Sequence, residues 1–193
     1  MKRYIVAKVT DILSEPDEVK NELLGNPETS RTTILKLSDD PDMAIRFKVA
    51  RHPNVPVRAL RKLCKDPKDK IRLAVADGEH TPSSVLLKML NDRSLTVRQV
   101  ALRNPNLSES AIRRFAESSE FKIREAIAQN TNTPEDVLYA LSEDKRWPVI
   151  RGVAGNQNAP RELLHTLADS DNHYIAKEAK DTLKLLEGSD YGY

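Results

Sequence analysis

An aliphatic residue returns every 26 positions along most of this chain, at Val19, Ile45, Ile71, Val97, Ile123, Val149 and Ile175. A second column in the same step runs Ile34, Leu60, Leu86, Ile112, Leu138 and Leu164. A third runs Leu37, Leu63, Met89, Phe115, Leu141 and Leu167. Three columns in register mark a repeat architecture, because a unit this small cannot cover its own apolar face and must stack on a neighbour.

The apolar positions inside one unit are helical. In TPEDVLYALSED, Val137, Leu138 and Leu141 share a face while Asp136, Ala140 and Glu143 point away. Thr133 reads as the N-cap and Pro134 as the first helical residue, with Asp136 favouring the positive helix start. The second segment of a unit, as in KIREAIAQN (122–130), groups Ile123, Ala126 and Ile127 on one side. It spans about two turns, so packing must hold it.

A stop column runs Asn26, His52, Gly78, Asn104, Asn130 and Asn156, with Pro27, Pro53 and Pro105 directly after three of them. These residue types tolerate positive φ, which suggests left-handed C-caps; amide recognition is the alternative reading. Each unit is then a longer helix, a tight connection, a short helix and a stop. RYIVAKVTDILSE reads as an N-terminal cap helix within residues 1–18, with Val9 and Ile12 out of register. The repeats fill 19–174, IAKEAKDTLKLLEG (175–188) forms a C-terminal cap helix, and 189–193 is a tail. We expect one all-α domain of about six units.

The unit IRxAxAxNPxxPxxxLxxLxxD resembles the leucine-rich repeat variant family and, more distantly, HEAT repeats. The residues that carry this are Ile45-Arg46 through Asp66, then Ile71-Arg72, Val97-Arg98, Ile123-Arg124 and Val149 onward. The resemblance implies a right-handed α-solenoid with longer α-helices on one surface and short α or 3₁₀ segments on the other. Some members of that family carry an N-terminal cysteine-rich iron–sulfur segment; with Cys64 alone, that property does not transfer and no cofactor is expected. Local departures are Glu79, Thr131 and Gln157 after the stop, Ser118 and Ser170 at a recurrent Asp, and Ile150 at the Arg position.

Two cationic columns compete for a functional role. Arg46, Arg72, Arg98 and Arg124 follow Asp40, Asp66, Asp92 and Ser118 by six residues, a spacing that resembles the buried ladder of HEAT-like repeats; a row of phosphate clamps is the alternative. Lys36, Lys62, Lys88 and Arg114 lie on the outward side of successive helices, with Arg58, Arg61, Lys65, Lys68, Lys70 and Arg113 nearby. The overall charge of +2 conceals this: residues 43–114 hold 16 basic and 6 acidic side chains. We take Lys36, Lys62, Lys88, Arg114, Arg58, Arg61, Lys65 and Arg113 as the candidate binding surface.

The expected partner is an acidic protein surface, the alternative a duplex nucleic-acid backbone, which needs no aromatic residues. Catalysis has little support: there is no nucleophile motif, no glycine-rich phosphate loop and no paired histidines, so no metal and no small-molecule substrate are expected. HEAT-like solenoids include DNA glycosylases, and Asp144 near Trp147 is the sole pair that resembles their chemistry. Trp147 fits better as packing in the connection before Pro148. No long apolar run or leader pattern is visible, so the sequence reads as that of a soluble, cytoplasmic monomer acting as a non-catalytic binding scaffold.

Overall fold

The computed structural model describes residues 11–189, Ser189 by its backbone only. All regular elements among them are helical, and they cluster into two compact units, one within residues 1–89 and the other within 90–193. The first unit starts with a 3₁₀ turn, Ile12–Ser14, followed by α1 (Asp17–Gly25), α2 (Arg31–Leu37), α3 (Met43–Arg51), α4 (Val57–Leu63), α5 (Asp69–Ala76) and α6 (Ser83–Met89). The second holds α7 (Leu95–Arg103), α8 (Glu109–Ala116), α9 (Phe121–Ala128), α10 (Glu135–Ser142), α11 (Trp147–Ala154), α12 (Arg161–Ala168) and α13 (His173–Ser189). In each unit odd-numbered helices pack on the next odd helix: α1, α3 and α5 in one, and α7, α9, α11 and α13 in the other. Even helices lie alongside, with α2 on α4 and α8 on α10. The 26-residue period is therefore a pair of helices.

The three apolar columns form the cores of both units. Ile34, Leu60, Leu86, Ile112, Leu138 and Leu164 are all buried, as are Ile45, Ile71, Val97, Ile123, Val149 and Ile175. Val19 and Phe115 are the half-buried exceptions. Removing a fully buried Leu or Ile side chain from water is worth about 1.5–3 kcal/mol. No helix of this length would persist without that packing.

Two expectations need correction. First, the two helices of a repeat are nearly equal rather than long and short. Helix α10 spans 8 residues, the same as α9 and α11. Pro134 trims its start: with ψ 149° it is the N-cap itself, its carbonyl accepting from Leu138 N at 3.0 Å. Asp144 trims its end by accepting from Arg146 N at 2.8 Å, a local turn that competes with helix. Second, Thr133 does not cap α10. Its buried hydroxyl donates back to Ile127 O at 2.6 Å, and Thr29 and Thr81 do the same to Leu23 O and Val75 O. The cap-helix reading of residues 3–15 lies largely outside the described residues. Its described end is the 3₁₀ turn capped by Asp11, after which Pro16 leads into α1. The tail at 189–193 also lies outside, apart from the Ser189 backbone that ends α13. That helix runs 17 residues, from His173, and buries Ala179, Thr182 and Leu183.

Candidate functional site

The polar groups of the stop column belong to the framework. No described residue has positive φ, so the left-handed cap reading fails. Asn26, His52 and Asn104 have φ of −95°, −70° and −65° with extended ψ. Their side chains work instead. Asn130, fully buried, donates through Nδ2 to Leu102 O at 2.6 Å and Asn104 O at 3.0 Å, while its Oδ1 accepts from Asn132 N at 2.8 Å. Asn156 repeats the pattern on Ala128 O and Asn130 O at 2.8 and 2.9 Å. His52 imitates it: Nδ1 accepts from Asn54 N, which leaves the proton on Nε2 to reach Asn26 O at 3.0 Å. These side chains carry hydrogen bonds from one repeat to the one before.

A parallel column escaped the sequence reading. Asn54, Asn132 and Asn158 each donate Nδ2 to a carbonyl of the preceding repeat, those of Thr29, Pro105 and Thr131. An Asn two residues after the stop position, in HPN (52–54), NTN (130–132) and NQN (156–158), was the available signal.

The Arg column is also structural, with the geometry shifted. Arg124 donates to the carbonyls of Ser118 and Ser119, at 2.6 and 3.2 Å, and grips Asp144 of the next repeat at 2.6 and 3.0 Å. Arg46 does the same with the carbonyls of Asp40 and Pro41 and the carboxylate of Asp66. So six residues back lies a carbonyl acceptor, and the carboxylate stands 20 residues ahead. Lys20 fills the corresponding place in the first repeat, 2.8 Å from Asp40. Arg98 has Ser118 where the carboxylate should be, and is left with Asp92 O and a 3.8 Å approach to Glu120. The Arg124 hydrogen bond holds Asp144 below the usual carboxylate range. Burial pushes Asp66 upward, but the Arg46 and Lys68 hydrogen bonds outweigh it and leave it lowered.

The outward column divides. Lys36, Lys62, Lys88, Arg58, Arg61 and Lys65 are exposed in the first unit, and Arg113 and Arg114 are exposed in the second. Lys62 pairs with Asp39. Arg113 is held by Glu109 at 2.9 Å and Asp136 at 2.6 Å, and Arg114 lies 5.4 Å from the Phe115 ring centre. Lys36, Arg58, Arg61, Lys65 and Lys88 enter no ion pair with a described residue. Three of these five, Lys36, Arg58 and Arg61, line a groove of about 510 Å³ on α2 and α4, together with Leu35, Asp39 and Lys62.

Trp147 does not pack inside its connection. It opens α11, 43% exposed, and stacks on Tyr174 with ring centres 5.5 Å apart. Both carboxylate oxygens of Asp144 accept from Arg124.

Superposition on solved structures matches this helix-pair architecture to a leucine-rich repeat variant described as having a novel repetitive structural motif, with a TM-score of 0.58. The match covers 90% of this chain and 69% of that one. The fold is that of the leucine-rich repeat variant. At 21% identity the match speaks for the leucine-rich repeat variant fold alone. An engineered protein aligns over 89% of this chain and 90% of its own at 19% identity, with a TM-score of 0.37. No family model and no curated protein matches the sequence. No helix among the described residues is long and apolar enough to cross a membrane.

Proposed function

We propose that this repeat scaffold is a non-catalytic binding protein whose first unit receives an acidic protein segment on the α2–α4 groove. The observation that carries the reading is the state of Lys36, Arg58 and Arg61. They ring a groove with Leu35 on its surface and enter no ion pair with a described residue, whereas Arg46 and Arg124 are consumed by the framework. An apolar residue among cations suits a peptide with both carboxylates and an aliphatic side chain. The Asp39–Lys62 pair in the same groove disfavours a phosphate backbone.

Fluorescence anisotropy of a labelled Glu- and Leu-containing peptide, run beside duplex DNA at two salt concentrations, tests this. Lys36→Glu/Arg58→Glu/Arg61→Glu should weaken peptide binding by about tenfold or more with an unchanged helical spectrum. Equal peptide binding by the triple variant would refute the reading. Tighter binding to DNA with a steep salt slope would transfer it to nucleic acid.

A further inference from the structure

One further column in the 26-residue step holds rings. The residues that open α9, α11 and α13 are Phe121, Trp147 and His173. Trp147 and His173 are exposed and Phe121 is half-buried. Trp147 stacks on Tyr174, itself 62% exposed, and the Arg146 guanidinium lies over the Phe121 ring, 4.5 Å from its centre. A planar group thus stands at the surface of three successive repeats. Trp147 also borders a groove of about 530 Å³, whose walls include Lys122, Glu125, Gln129, Arg151 and Glu178. The charges there are matched within the groove, Lys122 with Glu125 at 2.9 Å and Arg151 with Glu178 at 2.7 Å. The side chains of Trp147 and Gln129 make no hydrogen bond with a described residue, so the indole N–H and the amide can each donate outward.

We propose that this face of the second unit binds an uncharged, proline-rich segment of a partner protein in the polyproline II conformation. Packed helices stand about 8–10 Å apart, so equivalent residues of successive repeats recur at that distance. A polyproline II turn of three residues advances about 9 Å, whereas two residues of a strand cover about 7 Å and an α-turn about 5.4 Å. One turn per repeat therefore sets every third residue of the segment over the next planar group. Pyrrolidine rings pack on flat aromatic faces, and the carbonyls of this conformation, which bond to nothing within it, accept from the indole and amide donors. The paired charges in the groove favour a neutral ligand. Residues 115–193 hold 9 basic against 14 acidic side chains, which disfavours a nucleic-acid strand on the same rings. The α2–α4 groove belongs to the other unit and selects for charge, so either surface can fail without the other.

Trp147 is the chain's one tryptophan, so its emission in the intact protein reports on the site directly. An uncharged proline-rich peptide of about three turns should change that emission saturably, and a glycine–serine peptide of equal length should not. Affinity should differ by less than about twofold between low and high salt. Tyr174→Ala keeps the reporter and should weaken binding by about fivefold or more, and Trp147→Ala, followed by calorimetry, should weaken it at least as much. Both side chains are exposed, and an unchanged far-UV spectrum checks each variant; should one not fold, the other decides. Lys36→Glu/Arg58→Glu/Arg61→Glu should bind the peptide as the parent chain does. An absent or unsaturable change, equal affinity for the glycine–serine peptide, tighter binding to oligothymidylate, or full binding by the ring variants would overturn the proposal.

Discussion

The second unit contains two inter-repeat devices that do the same job by different chemistry. The Asn130 rung is neutral, fully buried and aimed at main chain. The Arg124 rung is charged, partly exposed and aimed at both main chain and a particular carboxylate, Asp144. The first tolerates any neighbouring side chain because every residue has a carbonyl. The second depends on a partner: where Ile150 replaces the Arg, Ser170 stands 20 residues later in place of the Asp, whereas Arg98 is kept although Ser118 has replaced its carboxylate. A neutral donor to backbone also avoids the desolvation that an ion pair must offset.

That contrast is sharpest at Asn130. Asn130→Ala removes two donors from buried carbonyls and one acceptor from Asn132 N, and should cost about 3 kcal/mol in chemical denaturation. Asn130→Gly should cost at least as much. A neutral glycine variant would restore the left-handed cap and sink the ladder. Next comes Arg124→Ala, expected at about 2 kcal/mol, below the range for a fully buried pair because the guanidinium keeps some solvent contact. If it costs more than Asn130→Ala, the charged rung dominates. Arg98→Ala should cost about 1 kcal/mol, since Ser118 offers no carboxylate.

Acid titration separates the devices further. Asp66 and Asp144 have lowered folded pKa values, so their contribution is present above the unfolded carboxylate value near 3.8 and lost as pH falls through the folded values. Denaturation midpoints measured from pH 5 downward should therefore fall less steeply for Asp144→Asn than for the parent chain, while Asn130→Ala should leave the slope unchanged. The smallest effect is expected from Lys36→Glu/Arg58→Glu/Arg61→Glu, whose stability should stay within about 0.5 kcal/mol of the parent. Unfolding of that variant would mean the groove belongs to the framework.

The fold was legible because burial repeats. Leu138 or Ile123 must be apolar in every copy, and a fixed period exposes that. The role of Asn130 was not, since asparagine suits both a left-handed cap and a buried amide rung, and the two readings diverge only when φ and the acceptor are known. The groove was half legible. Charge count marked the region, but whether a cation is available depends on carboxylates distant in sequence: Asp136 lies 23 residues from the Arg113 it occupies. Asp39, in the turn after α2, likewise occupies Lys62 of α4.

A rung that recognises only peptide carbonyls also bears on how such a chain can lengthen. Leu102, Asn104 or Ala128 could drift in identity without disturbing the amide that reads their backbone. An unequal crossover that copied 26 residues of the second unit would deliver an asparagine already facing two acceptors, whatever sequence lay upstream. Such a copy is also long enough to carry both halves of an Arg–Asp pair, 20 residues apart. The neutral rung makes duplication forgiving, and the charged one records, at Ile150 and Ser170, where a copy has since gone its own way.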